Sequence, residues 1–350
     1  MDIYVNKCLT IDRDSDLLSG FDYNPELIYA AVANTYVETI GNKADSLHRR
    51  IKKSTTENVY KEYLDTVKIL GRRVDLHERD VVLAFDYTDE NYYGELEGFW
   101  MHGWTGKHAV TGKFKFLTCA IVCTSAPIRV PLLSIPVHMG HDMADTVIHC
   151  LKLVEPLLHS IQLVLFDRGF YSKDLMRHLS KEENSYPYLI FVPKNEKVVA
   201  ELEQMKDQEK KTTTYEFKLY KHKTTKRGKT TLAFLKQIYD KRSEKNYDWP
   251  FATNLEEIDL DNIIKTYKKR WRIETMFRVQ DEAHIMSKSK DINIRFFYFA
   301  YSQVLQLLWA VIFKEQVGFK EFLLILNETA RERAEKAEKR RIRRAGSETT

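Results

Sequence analysis

The sequence predicts an α/β protein: a mixed sheet flanked by helices, with a helical region ahead of it and a β-rich insertion before a late helix. Three observations lead there. Two apolar runs of strand length, Val81-Val-Leu-Ala-Phe85 and Ile161-Gln-Leu-Val-Leu-Phe166, have the composition of strands buried on both faces. Three successive strand patterns precede an alternation of helix and strand, an order that builds a mixed sheet. A polar helical pattern over 261–280 follows only after a basic, strand-rich interruption.

Residues 1–75 read as helical. Asn24-Pro-Glu-Leu-Ile-Tyr-Ala-Ala-Val carries proline at a first helical turn. The stretch Ala44–Lys53 ends in Arg49, Arg50, Lys52 and Lys53, and Glu57–Leu70 has apolar residues at helical spacing. No helix-turn-helix signature separates a DNA-reading module from a scaffold packed on the core. The central region then reads as strand 81–86, a loop rich in Tyr, Gly and Trp over 87–113, and strands 114–124 and 128–137. A helix over 142–159 with Asp142 at its start, strand 161–166, helix 172–182 and strand 187–192 complete it.

The interruption spans 193–255. Two alternating pieces, Thr213–Tyr220 and Thr230–Ile238, flank the basic segment Lys221–Lys229, read as a turn containing Gly228. Residues 194–245 hold 15 Lys/Arg against 8 Asp/Glu, and residues 331–344 hold 8 against 3, on a chain whose net charge is only +5. Basic blocks on a mildly acidic body suit a polyanion, so Lys226, Arg227 and Lys229 are candidate contacts to a nucleic-acid backbone. An apolar helix over 293–313 is interrupted by Ser302, Gln303 and Gln306 and reads as buried, with no membrane span. A further helix over 319–344 ends in Arg340-Arg-Ile-Arg-Arg344. The expected divisions are 1–75, a central unit of 76–192 with 256–315, the insertion 193–255, and a tail 316–350. Four cysteines, Cys8, Cys119, Cys123 and Cys150, form no Cys-x2-Cys pair and suit a reducing compartment.

The chemistry concentrates in three acids. Asp86 and Asp167 each close an apolar run, where a sheet meets a ligand-binding crevice. Tyr267, Arg270 and Glu274 fall at i, i+3 and i+7, on one face of the expected helix. A carboxylate beside an arginine is by itself an ordinary surface ion pair. Two strand-end aspartates and a helical glutamate together can hold hard divalent cations, which prefer oxygen ligands. His138 and His141 straddle a Met-Gly turn without a cysteine at zinc spacing, and no Gly-x-Ser-x-Gly nucleophile setting is present.

These residues resemble the DDE insertion-sequence transposases, which carry a Tyr-x2-Arg-x3-Glu-x6-Lys signature on a ribonuclease-H-like fold. Tyr267, Arg270 and Glu274 match its first three positions, and Asp167-Arg-Gly-Phe170 is similar to the family's second-acid motif. The signature's lysine falls on Asp281 here, and Arg278, one turn after Glu274, is the candidate replacement cation. The resemblance implies Asp86, Asp167 and Glu274 as catalytic residues and ligands of two Mg²⁺ or Mn²⁺ ions. It implies Tyr267 and Arg270 as phosphate contacts, with a homodimer acting on double-stranded DNA, both terminal inverted repeats and target. The implied reaction is cleavage at transposon ends and transfer of the 3′-hydroxyl, in a prokaryotic cytoplasm at the nucleoid. A nuclease without strand transfer and a non-catalytic DNA-binding descendant are the alternatives.

Overall fold

The computed structural model describes residues 23–347 except 42, 104–108, 126–127, 182–184, 207, 222, 241–242 and 315. The first 22 residues of the expected helical region, with Cys8, lie outside the described residues, as do the last three of the tail. Among the described residues the sheet has nine strands. Its first strands in chain order are β1 (Asp80–Tyr92), β2 (His102–Gly103), β3 (Gly112–Thr124), β4 (Val130–Val137), β5 (Ser160–Phe166) and β6 (Tyr188–Phe191). Strand β3 pairs antiparallel with β1, β2 and β4, while β5 lies parallel to both β1 and β6. The spatial order β4-β3-β1-β5-β6 is the ribonuclease-H-like arrangement.

The insertion is not an appended hairpin. After helix α6 (Glu196–Gln204), strands β7 (Lys210–Lys221), β8 (Thr224–Asp240) and β9 (Lys245–Thr253) follow. Strand β9 pairs with both β6 and β8, so the insertion continues the central sheet. The turn of the hairpin falls at Lys221–Thr224; Lys226, Arg227, Gly228 and Lys229 lie inside β8, opposite Leu219, Lys218, Phe217 and Glu216. Gly228 is there for close approach: a Cβ at that position would stand 2.6 Å from the Phe217 ring.

Helices cover both faces. On one side, α4 (Met143–Val154) and α5 (Lys173–Leu179) bury Val147, Leu151, Leu175 and Met176 against Leu83, Phe85 and Phe166. The side chain of Asp142 caps α4 by accepting from the Asp145 N–H at 3.0 Å. On the other side, α7 (Ile263–Lys268) and α8 (Trp271–Gln280) set Tyr267, Ile273 and Met276 against Val82, Ala84 and Leu165. Each Val, Leu, Ile, Phe or Met side chain withdrawn from water contributes about 1.5–3 kcal/mol.

The early helices α1 (Asn24–Ala33), α2 (Ala44–Ile51) and α3 (Thr56–Gly71) share the larger buried cluster with the sheet. The Tyr63 hydroxyl donates to the Pro131 carbonyl on β4 at 2.8 Å, and His48 meets the Tyr298 hydroxyl at 2.8 Å. Tyr298 belongs to α9 (Ile292–Leu308), which continues as a wider π turn over Trp309–Phe313. This segment is long and apolar enough to cross a bilayer, and 67% of its apolar window is buried inside the fold. Helix α10 (Phe319–Ser347) packs through Phe322, Leu323, Leu326 and Ala330 and is exposed over most of its length beyond them. Cys119, Cys123 and Cys150 are free thiols.

Candidate active site

Asp86 does not end its strand, as the apolar run suggested; β1 runs on to Tyr92. What ends near Asp86 is the pairing on one side. The parallel ladder to β5 stops at Phe85–Phe166, whereas the antiparallel ladder to β3 continues through Asp86–Thr118. Beyond Phe85 and Phe166, β1 and β5 are no longer paired, so Asp86 stands at the end of the parallel ladder, in the position where mixed sheets bind ligands. Asp167 follows Phe166 directly and starts a 3₁₀ turn, Arg168–Phe170. Phe170 anchors that turn: it is buried and its ring stacks on Tyr87 at 5.0 Å.

The expected single helix over 261–280 is two helices. Asp261 lies before α7 and is paired with Lys210, and the ladder is interrupted at Lys269-Arg270. There the Arg270 N–H donates to the Tyr267 carbonyl at 2.9 Å, and the Ile273 N–H to the Arg270 carbonyl at 2.9 Å. Such i to i+3 bonds eclipse side chains three apart. The Arg270 guanidinium accordingly lies 5.9 Å over the Tyr267 ring. Helix α8 is fixed to the sheet by Arg272, whose Nη1 donates to the Val122 carbonyl at 2.7 Å. From behind, the Gln306 side chain donates to the Met276 carbonyl at 2.8 Å.

These elements bring together the residues the sequence singled out. Arg270 Nη1 donates to Asp86 Oδ2 at 3.2 Å and Nη2 donates to Glu274 Oε1 at 2.8 Å. The Tyr267 hydroxyl donates to Asp167 Oδ1 at 3.4 Å. The Tyr267 ring is held by Phe251, Phe191 and Trp249, with centroids at 5.1, 5.7 and 6.4 Å. Trp249 thus belongs to the packing under the site. Arg270 is 5% exposed. The Glu274 side chain is 47% exposed, against 23% for Asp86.

Burial pushes the Asp86 carboxyl up to about 6. Arg270 and the Tyr87 N–H oppose that rise, while Asp167 and Glu274 reinforce it through charge repulsion. Burial works against the Arg270 charge, but Tyr267, Asp86, Asp167 and the bond to Glu274 outweigh it and raise its pKa. Burial likewise raises the Tyr267 phenol.

Asp89 and Glu90, the nearest rival acids, are committed elsewhere. Asp89 pairs with Lys113 at 2.7 Å and Lys115 at 3.4 Å, and Glu90 with Arg295 at 3.0 Å. Arg278 is exposed on α8, one turn beyond Glu274. Asp281 opens a 3₁₀ turn after α8 and faces His284; burial raises its pKa and His284 opposes the rise.

Among the described residues, no three His, Cys, Asp or Glu side chains converge as a ready cation cage. Arg270 bridges two of the acids, so a cation of the chain's own already stands between them. The donor chemistry still suits hard divalent ions: Asp86 feels the charges of Asp167 and Glu274, and all three donors are carboxylates.

The basic insertion is partly internal. Lys221 of the expected turn ties the hairpin back to Asp142 at 2.6 Å and also to Asp174 on α5. Arg227 and Lys229 are exposed. They line a groove of about 860 Å³ with Lys173 and Lys218, two cations that sequence reasoning missed. Lys218 stands directly opposite Arg227 in the ladder, a signal visible only once the register is known.

Fold and site together define a ribonuclease-H-like α/β protein with acids on β1, after β5 and on a helix across one face of the sheet. The family model described as the transposase DDE domain matches residues 78–289, and the chain belongs to that family. Among solved structures, the cryo-EM structure of a piggyBac transposase synaptic complex with hairpin DNA is similar in fold. Its TM-score is 0.55 at 12% identity, over 94% of this chain and 69% of that one. No curated protein sequence matches the chain.

Proposed function

We propose that this chain cleaves DNA at the ends of a transposable element and joins the freed 3′-hydroxyl to target DNA, with Asp86, Asp167 and Glu274 as the catalytic acids. The observation that carries this reading is the shared set of partners: one guanidinium spans Asp86 and Glu274, and the phenol beside it reaches Asp167. Those carboxylates would hold two Mg²⁺ or Mn²⁺ ions, which when bound activate an attacking oxygen and stabilise a leaving one. Arg270 and Tyr267 lie where they can orient a backbone phosphate near the scissile bond, the guanidinium by a two-pronged contact. The aromatic packing under Tyr267 holds its hydroxyl in place. Arg278 supplies a further cation on the same helix, in place of the lysine that Asp281 displaces.

The groove lined by Lys173, Lys218, Arg227 and Lys229 follows the duplex backbone, with Lys226 beside it; each neutralised phosphate adds salt-sensitive affinity. Helices α1–α3 act as scaffold, which their place in the common core supports. The DNA in the similar piggyBac complex supports duplex DNA as the partner. Two ends handled together call for a homodimer, and a nucleoid-associated, cytoplasmic location follows from the same reading.

The test is incubation of the purified chain with Mg²⁺ or Mn²⁺ and a plasmid carrying the inverted repeats that flank its gene. Nicked ends and joined products are expected; cut products without joining would make it a nuclease. Asp281 in place of the signature's lysine favours a second reading, a non-catalytic DNA-binding descendant. Binding of duplex with neither Mn²⁺ binding nor cleavage would select that reading.

A further inference from the structure

We propose that Arg270 is a resident counter-ion that makes metal entry depend on DNA: it neutralises Asp86 and Glu274 until a phosphate draws it away, and only then do the acids take divalent ions. The proposal rests on the catalytic reading of the three acids and adds their regulation. Its basis is a competition for one group. The guanidinium assigned to a DNA phosphate is spent on two carboxylates, at 3.2 and 2.8 Å. Tyr267, the other phosphate contact, is spent on Asp167 at 3.4 Å. Both phosphate-binding groups therefore serve as caps on the acids in the protein alone.

Three features suit Arg270 to exchange. Its backbone sits on the interrupted turn between α7 and α8, where the full helical ladder is missing. Its Nε is buried without a hydrogen-bond partner among the described residues, so the arrangement is incompletely satisfied. A phosphate offers the same planar two-oxygen match as a carboxylate and carries its charge into the site. Once the guanidinium turns to phosphate, Asp86, Asp167 and Glu274 repel one another uncompensated, and a divalent cation becomes the available neutraliser. Coupling of this kind is reciprocal: DNA must tighten metal binding by the factor by which metal tightens DNA binding. A lone chain would then carry little metal and do little chemistry away from DNA.

The test is Mn²⁺ affinity of the full chain, read from the electron paramagnetic resonance signal of free Mn²⁺. It is measured with and without a short mixed-sequence duplex, for the parent, Arg270→Gln, Arg270→Lys and Asp167→Asn. The parent is expected to bind Mn²⁺ at least about tenfold more tightly when duplex is present, after subtraction of the ions the duplex binds itself. Arg270→Gln is expected to bind about tenfold more tightly than the parent without DNA and to lose the effect of duplex. Arg270→Lys keeps the charge but not the two-pronged fork, so its affinity without DNA is expected to fall between those of the parent and Arg270→Gln. A gain in affinity is not what a loosened or misfolded site gives, and the duplex effect in the parent stands even where Arg270→Gln fails to fold. The coupling is overturned if Arg270→Gln binds no tighter, or if duplex leaves the parent unchanged, while Asp167→Asn still weakens binding; the acid site then survives. Asp167→Asn binding Mn²⁺ as well as the parent overturns the acid site and the coupling with it.

Discussion

Arg270 Nη1 lies 3.2 Å from Oδ2 of Asp86, a residue 184 positions earlier in the chain. This contact ties the helix pair to the strand at the point where the parallel ladder stops. The two side chains should be energetically coupled. A double-mutant cycle of Asp86→Asn and Arg270→Gln, followed by urea unfolding without metal, should give an interaction of about 1 kcal/mol or more. Additive effects within about 0.3 kcal/mol would mean that the contact does not hold in solution.

Two buried acids, Asp86 in the site and Glu90 outside it, cost stability at neutral pH. Folding raises Asp86 from 3.8 to about 6, and Glu90, buried against Arg295, from 4.5 to about 7. A raised acid favours folding most when protonated, so its contribution is full below its unfolded pKa and is lost as pH rises through the folded one. Between pH 4 and pH 7 both carboxyls therefore erode stability, each by an amount on the order of 2 kcal/mol. Asp86→Asn should be more stable than the parent at pH 7 by that order, and the gain should vanish towards pH 4. Urea midpoints measured across this range check it; a difference independent of pH would contradict it.

Tyr267 serves the fold with its ring and the site with its hydroxyl. Tyr267→Phe loses one long hydrogen bond to Asp167 and should change stability by no more than about 1 kcal/mol. Tyr267→Ala empties the space between Phe191, Trp249 and Phe251 and should cost about 3–5 kcal/mol. Equal losses in the two variants, measured by thermal or urea unfolding, would show that the ring is not packed as described.

The hairpin cations should act through charge alone. Replacing Lys226, Arg227 and Lys229 together with Ala should leave unfolding nearly unchanged, since two of the three are exposed. It should flatten the salt dependence of duplex binding by up to about 0.9 in log–log slope for each phosphate contact removed. An unaltered slope in filter-binding or anisotropy titrations would put the DNA elsewhere.

Much of the first half of the sheet was legible because its strands are buried on both faces. Runs such as 81–85 and 161–166 carry the apolar signal without interference, and the acids that follow them are conspicuous. The outer half of β1 was not legible. Tyr87–Tyr92 has β3 on one side only, so its polar residues read as loop. Strand β9 was hidden by Pro250, a residue that argues against a strand between two neighbours, although β9 pairs with both β6 and β8. Helix α6 had a signal that was passed over: Asn195 caps it by accepting from the Val198 N–H at 3.0 Å, and Val198 and Leu202 are its buried pair. The interruption at Lys269-Arg270 had none, since both residues are good helix formers and tertiary contacts decide the local geometry. The three acids were named from the sequence, but the guanidinium joining two of them required the fold.

The central claim is that Asp86, Asp167 and Glu274 act as one site. The most direct measurement is cleavage of a duplex bearing the element's terminal repeat by Asp86→Asn, Asp167→Asn and Glu274→Gln, each compared with the parent. Losing a charge-stabilising ligand removes several kcal/mol at the transition state. Every variant should therefore cut at least about 10³-fold more slowly, while duplex affinity stays close to that of the parent. Any one of the three cutting at the parental rate would contradict the account.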